Sequence, residues 1–492
     1  MRNGFGIRLP GIVGIALVGL VALALGAWDA QAQVQAQART PDPEQRVIIG
    51  LRAEAQGVFT QGLVRALEVR IESGGGRVEE RLELIDAVVA TLDAELREEL
   101  EGDPRVRYVV PDGVVGTPEF WARLAPAPGP EQGSGEPSLA PRSVTGSAIP
   151  VELYSWGVER IRAPEVHRTR LAAVPGASDT GSGRALALGA LGVLWALGAL
   201  GLRMSPLRRR SRLVVGGLLV GTLAALSGCT AAWVLPHPGV LGEGVTVALL
   251  DTGVDLAHPD LRSNVLGGID FVNGDNDPSD DNGHGTGVAG LLAAAENGLG
   301  LVGTAPRVKI WSVKILSYDE RGSISDLIRG LEWALRQGVQ IIGMSLGTEE
   351  DNAALRDAIR AVHQAGVLLV AAAGNKGYRV LYPAAYPEVI AVASTDENDQ
   401  RAWFSNMGPE VDLVAPGTNL LTTARDGEYQ RVSGTSFSVP QVAGVAALVM
   451  AAGLRDAGAV RRRLEETAQD LGLFVQAQGR GLVDAARAVL GP

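Results

Sequence analysis

The sequence predicts an α/β protein with a doubly wound, mostly parallel sheet, preceded by a small α+β domain and interrupted by two candidate transmembrane helices. Three observations carry that prediction. From Gly242 onward, near-continuous apolar strands alternate with helical stretches, the pattern of a parallel sheet buried on both faces. Before that region, residues 46–113 read as a compact strand–helix–strand unit. Between the two lie uncharged runs of membrane-spanning length on either side of an arginine cluster.

At 492 residues the chain is too long for one core. Its net charge of -11 argues against a nucleic-acid partner, which would need a basic face. Its only cysteine, Cys229, can form no intrachain disulfide, so cysteine usage leaves the redox compartment open.

Residues 1–32 have the pattern of a secretory signal: Arg2 and Arg8, an apolar stretch from Leu9 to Trp28, then Ala30-Gln31-Ala32. An uncleaved anchor is the alternative. In residues 46–113, RVIIGLR reads as a strand, GVFTQGLVRALEVRIESGGG as a helix, and RVEERLELI as a strand. DAVVATLDAELREELEGDP reads as a second helix and VRYVVPD as a last strand. Residues 114–150 are rich in Pro, Gly, Ser and Ala and read as a linker.

Residues 185–202 and 213–235 are uncharged, and RMSPLRRRSR (203–212) between them holds five arginines. Arginines resist translocation, so a hairpin over 170–238 would keep this loop cytoplasmic and leave residues 33–184 and everything after Leu235 outside. A pair of buried core helices is the bland alternative. A rival reading starts at Met204, from which the sequence resembles a bacterial lipoprotein signal with Leu226-Ser227-Gly228-Cys229 as its lipid-attachment box. The part after the signal would then be released, or lipidated at Cys229, after processing.

In residues 239–492 the predicted parallel strands are VTVALL (245–250), VKIWSVKIL (308–316), VQIIGMSL (339–346), GVLLVAAAG (366–374) and VIAVAS (389–394). Polar residues flanked by glycine sit at strand and helix ends: Asp251 in LLDTGVD, His284 in DNGHGTGVAG, Ser436 in SGTSFSVPQ. A serine nucleophile needs a hydroxyl, an imidazole to take its proton, and a carboxylate to fix the imidazole's tautomer. Asn375 in VAAAGN offers a side-chain amide for an oxyanion.

In this order, Asp, His, Asn and Ser, the motifs resemble those of the subtilisin-like serine proteases, or subtilases. The match runs from about Gly242 to the C-terminus, and YSWGVERIRAPEVHRT (154–169) resembles the family's approach to its first strand. The resemblance implies a serine endopeptidase acting on protein or peptide substrates through an acyl-enzyme. It implies Asp251, His284 and Ser436 as the triad, and Asn375 with the Ser436 backbone N–H as oxyanion donors. It further implies substrate strands at 344–347 and 322–325, giving Gly322, Ser323, Ser345, Leu346 and Gly347 as substrate-binding residues. Residues 46–113 resemble the inhibitor-like propeptide of the family, the chain's own intramolecular inhibitor.

No cofactor is implied for the chemistry. Structural calcium is suggested by Asp260 and Asn297, which match a family calcium site, and by the acidic run Asp270, Asp275, Asp277, Asp280 and Asp281. His167, His237, His258 and His363 lack ligand-like spacing and read as surface or structural. Two departures stand out: Phe437 follows the serine where Met is common, and Gly287 sits where a second histidine is common. Neither removes a proton-transfer group. An inactive membrane-bound pseudoprotease or scaffold is the remaining alternative. The membrane hairpin makes the expected location extracytoplasmic and membrane-anchored.

Overall fold

The computed structural model describes residues 44–52, 58–124, 139–143, 152–168 and 239–491. The signal-like stretch, both apolar runs, the arginine loop, Cys229 and His237 lie outside the described residues. No helix among the described residues is long and apolar enough to cross a membrane.

The N-terminal unit comprises β1 (Gln45–Leu51), α1 (Val58–Ser73), β2 (Arg77–Leu82), β3 (Ala87–Leu92), α2 (Ala94–Glu101) and β4 (Val106–Pro111). Its strands form an antiparallel sheet ordered β2-β3-β1-β4. The helix expected over 86–104 is two elements. AVVATL, with β-branched Val88, Val89 and Thr91, fits a central strand better than a helix. The helix starts only after Asp93, whose carboxylate accepts from Leu96 N–H at 2.8 Å.

Successive side chains of β1 face opposite ways. Val47 and Ile49 pack with Leu67, Ile71 and Leu96 in the unit's own core. Ile48, with Leu82, Ala87 and Val89, joins the large core of the following unit. That alternation explains why RVIIGL is apolar on both faces.

The segment read as a linker opens with structure: β5 (Val114–Gly116) and α3 (Pro118–Leu124). The sequence TPEF supplies a helix start that composition concealed. Thr117 Oγ1 accepts from Phe120 N–H at 3.0 Å, and Pro118 takes the first helical position, where its missing N–H costs nothing. Further along, β6 (Arg142–Ser143) pairs with a C-terminal hairpin strand.

The main sheet consists of β7 (Thr246–Asp251), β8 (Val265–Asp270), β9 (Lys309–Lys314), β11 (Ile341–Met344), β12 (Leu368–Ala372), β13 (Val389–Thr395) and β14 (Leu413–Pro416). A short strand, β10 (Arg321–Ser323), stands apart from it. The order is β14-β13-β12-β11-β7-β9-β8, and every pairing is parallel. All five strands expected from Gly242 onward are present. The two edge strands escaped notice, because VLGGID is interrupted by glycines and LVAP is short.

Helices α4 (His284–Ala293), α5 (Ile324–Arg336), α6 (Ala353–Gln364) and α7 (Val439–Ala451) flank the sheet. Ser323 and Asn352 cap α5 and α6 by accepting from the Asp326 and Ala354 N–H groups. α4 and α7 are buried along almost their whole length. The antiparallel hairpin β15 (Leu420–Thr423) and β16 (Tyr429–Val432) lies against α4 and receives β6.

The described chain leaves this unit at Arg168 and returns at Gly239. These ends are neighbours: a Cβ on Gly239 would overlap the His167 carbonyl. The described residues on either side of 169–238 therefore lie side by side.

Candidate active site

The expected triad and oxyanion residues come from four separate elements at the C-terminal ends of parallel strands, where ligands bind in open α/β sheets. Asp251 is the last residue of β7, and His284 is the first of α4. Asn375 follows β12, and Ser436 lies in a short 3₁₀ turn before α7. All four are buried.

His284 Nδ1 donates to Asp251 Oδ1 at 2.7 Å, which leaves Nε2 facing outward from the carboxylate. Such closeness depends on Gly285, because a Cβ there would lie 2.1 Å from the Gly253 carbonyl. The turn ahead of α4 is organised by Asp280. Its carboxylate accepts from the N–H groups of Asn282, Gly283 and Thr286 and from the hydroxyls of Thr252 and Thr286.

Asn375 is oriented from behind. Its Oδ1 accepts from Thr435 N–H at 2.9 Å and Thr435 Oγ1 at 2.8 Å, so Nδ2 points toward the serine. Ser345 Oγ donates to the Ser436 carbonyl at 2.8 Å and ties that turn to the loop after β11.

The cleft is filled by the chain's own N-terminal part. β5 lies antiparallel to β10, with Val115 opposite Gly322 and Val114 opposite Ser323. On its other side Gly116 exchanges both backbone hydrogen bonds with Gly347, at 3.0 and 2.8 Å. The segment is therefore held as a strand between the two stretches expected to bind substrate. Those stretches are shorter than expected: β10 ends at Ser323, Ile324 opens α5, and β11 ends at Met344. Ser345, Leu346 and Gly347 follow β11 as a buried segment.

Glu119, which the sequence reading passed over, meets the expected triad. Ser436 Oγ donates to Glu119 Oε2 at 2.7 Å, and His284 Nε2 lies 3.3 Å from the same oxygen. Asn375 Nδ2 donates to Glu119 Oε1 at 2.9 Å. Burial alone would lower the His284 pKa, but the Asp251 and Glu119 carboxylates outweigh it and hold the imidazole well above its ordinary range.

The two sequence departures form one packing solution. The Phe437 ring stands 5.3 Å from the His284 ring, and a Cβ on Gly287 would come within 3.3 Å of it. A larger residue at position 287 would crowd the phenylalanine. Gln441 Nε2 ties the start of α7 to the Pro416 and Phe437 carbonyls.

Asp260 and Asn297 do meet. Asn297 Nδ2 lies 3.2 Å from Asp260 Oδ1, while Asp260 Oδ2 accepts from Leu301 N–H and Tyr429 OH, each at 2.8 Å. Both carboxylate oxygens face N–H and O–H donors, and that set does not fit a calcium ion as arranged. The acidic run shapes turns instead: Asp270 accepts from Val272 and Asn273, Asp275 from Asp277, and Asp281 pairs with the buried Lys314. No group of three or more metal-ligating side chains occurs among the described residues. His167 and His258 are buried and bonded to the Thr304 and Glu428 carbonyls.

Residues 242–481 match the model of the subtilase family, Peptidase_S8. A thermostable alkaline protease of Halalkalibacterium halodurans is 44% identical over 252 residues, covering 51% of this chain and 69% of that protein. Subtilisin BL of Lederbergia lenta is also 44% identical over 252 residues, with 92% of its length covered. Subtilisin DY of Bacillus licheniformis is 40% identical over 256 residues, again with 92% covered. The chain therefore belongs to the subtilase family and is a subtilisin-like serine protease, a hydrolase acting on protein or peptide substrates without a cofactor in its chemistry.

Proposed function

We propose that the chain is a membrane-tethered serine endopeptidase facing outside the cytoplasm, with Asp251, His284 and Ser436 as its triad and Asn375 as oxyanion donor. The observation that carries this reading is the meeting of the Ser436 hydroxyl, the His284 imidazole and the Asn375 amide on one carboxylate, with Asp251 behind the imidazole.

With the cleft free and the imidazole neutral, Nε2 takes the Ser436 proton as Oγ attacks the scissile carbonyl. Asp251 keeps the proton on Nδ1 and stabilises the imidazolium that forms. The new oxyanion is met by Asn375 Nδ2 and the Ser436 N–H. His284 then protonates the leaving amine, and water enters by the reverse sequence to release the acyl group. Substrate adds as a strand between Gly322-Ser323 and Ser345-Gly347, the position that β5 occupies.

Residues 46–113 act as the intramolecular inhibitor. Their support is the shared core through Ile48 and Val89, and Asp112, which accepts from the N–H and hydroxyl of Ser325 at the start of α5. The tether is the hairpin 170–238. Two apolar runs, the arginine loop and the adjoining ends at His167 and Gly239 support it.

Peptide hydrolysis by the Ser436→Ala variant tests the enzyme. Activity should fall by about 10⁶-fold, a magnitude that comes from subtilisin itself; unchanged hydrolysis would overturn the assignment. For the tether, protease added outside intact cells should spare residues 203–212, and digestion there would overturn the topology.

A further inference from the structure

We propose that the catalytic centre holds Glu119 as a built-in ligand that cannot be hydrolysed, its side-chain carboxylate taking the oxyanion's place and keeping the chain latent until residues 114–124 are withdrawn. The inference rests on the triad reading above and adds to it the device that silences the site.

A bound substrate would cross the cleft in extended form and lay a peptide carbonyl against Asn375. This segment begins that way and then departs. It pairs with Gly347 through Gly116, and Thr117 N–H still donates to the Glu320 carbonyl at 3.2 Å. At Pro118 the chain turns into α3. Proline offers no N–H to continue the ladder, and Trp121 Nε1 folds back to donate to the Gly347 carbonyl at 2.6 Å. Arg123, on the same helix, pairs with Glu320 at 3.0 Å. A side-chain carboxylate thus arrives where a scissile carbonyl would lie.

The seat is shaped for that carboxylate. A Cβ on Gly434 would lie 1.8 Å from Glu119 Oε1, and one on Gly116 would lie 2.5 Å from the Phe120 ring. Glu119 is 8% exposed, and burying an anion that deeply is costly unless it is paired and hydrogen-bonded. Ser436, Asn375 and His284 supply the pairing.

The contact also silences the base. His284 is flanked by Asp251 from β7 and Glu119 from α3, and Glu320, ahead of β10, adds a third negative charge that Arg123 partly balances. Under that field the imidazole keeps its proton, and a protonated imidazole cannot accept one from Ser436. Glu119 therefore blocks the site twice, by position and by charge.

The test uses the intact full-length chain and a fluorophosphonate probe, which labels only an activated serine. Wild type should label slowly near neutral pH, and the isosteric Glu119→Gln about tenfold faster or more, with Ser436→Ala as the blank. In wild type the rate should climb at alkaline pH as His284 loses its proton, and in Glu119→Gln the same climb should come at lower pH. A thermal melt on each variant separates unplugging from unfolding. Glu119→Ala, which clears the position as well as the charge, should label fastest, and equal rates and pH profiles for intact wild type and both variants overturn the plug. So does a wild-type chain that frees itself of residues 114–124 at neutral pH with no other protease present. Labelling in no variant at any pH overturns the protease reading itself.

Discussion

The N-terminal unit and the catalytic unit are both α/β arrangements, yet they hold themselves together differently. In the catalytic unit, parallel strands covered by helices on both faces build one continuous core, and the site residues stand at its strand ends. In the N-terminal unit a four-stranded sheet has helices of its own on one face only; the other face uses the catalytic unit as its cover. Its further ties include the Asp112–Ser325 hydrogen bonds and edge ion pairs, Arg107–Asp357, Arg329–Glu80 and Arg336–Glu83, and the exposed pairs among them contribute little. The difference teaches that the candidate site residues stand on a continuous core of their own, whereas Glu119 follows a sheet that borrows half its cover. A small sheet stripped of half its cover has little core left to keep it folded.

The largest effect should come from the catalytic unit. Asn375→Ala leaves Thr435 without its acceptor and removes the proposed oxyanion donor, and kcat for peptide hydrolysis should fall about 10²–10³-fold, a figure obtained on subtilisin. An unchanged kcat with only KM affected would mean that the amide serves binding alone.

Neighbouring residues on β1 sharpen the contrast. Ile49 and Ile48 are both fully buried, one in the small core and one in the large. Either residue changed to Ala should cost about 2–4 kcal/mol. Ile49→Ala should lower the melting of the N-terminal unit, whereas Ile48→Ala should loosen its docking and speed serine labelling without unfolding the catalytic unit. Identical behaviour of the two variants would erase the distinction between clamp and core.

The smallest effect concerns acid. Burial pushes the His167 pKa down to about 4, against the opposing pull of the Thr304 carbonyl. The unfolded chain, with its histidine near 6.5, binds the extra proton first. Stability from this group is therefore whole above pH 6.5 and is lost as pH falls toward 4, by up to about 3 kcal/mol. Unfolding midpoints followed against pH should show a steeper acid loss for wild type than for His167→Gln. Parallel curves would remove His167 from the account.

Much of the candidate site was legible in the residues. Asp251, His284, Asn375 and Ser436 each carry a glycine-rich signature imposed by a local need, such as the room that Gly285 leaves for Asp251. Phe437 and Gly287 were legible as departures, but only the packed site reveals that Gly287 makes room for Phe437. The second helix of the N-terminal unit was misread because AVVATL is apolar enough for either element, and the strand neighbours that decide the case lie far away in the chain. Asp260 and Asn297 do lie together, yet Leu301 N–H and Tyr429 OH, far along the chain, occupy the Asp260 Oδ2 that a cation would need.

Hydrophobic periodicity and turn chemistry act over a few residues, so the chain alone determined the parallel α/β core, the order of its chemical groups and the helix-starting signal at Thr117. What occupies the cleft was decided only by folding. Glu119 is an ordinary acid in a proline-rich stretch until β5 is captured between Gly322 and Gly347 and α3 turns it inward. A contact spanning 317 residues of chain has no local pattern to announce it; it forms because a buried carboxylate is stable only where a hydroxyl, an amide and a cation meet it together.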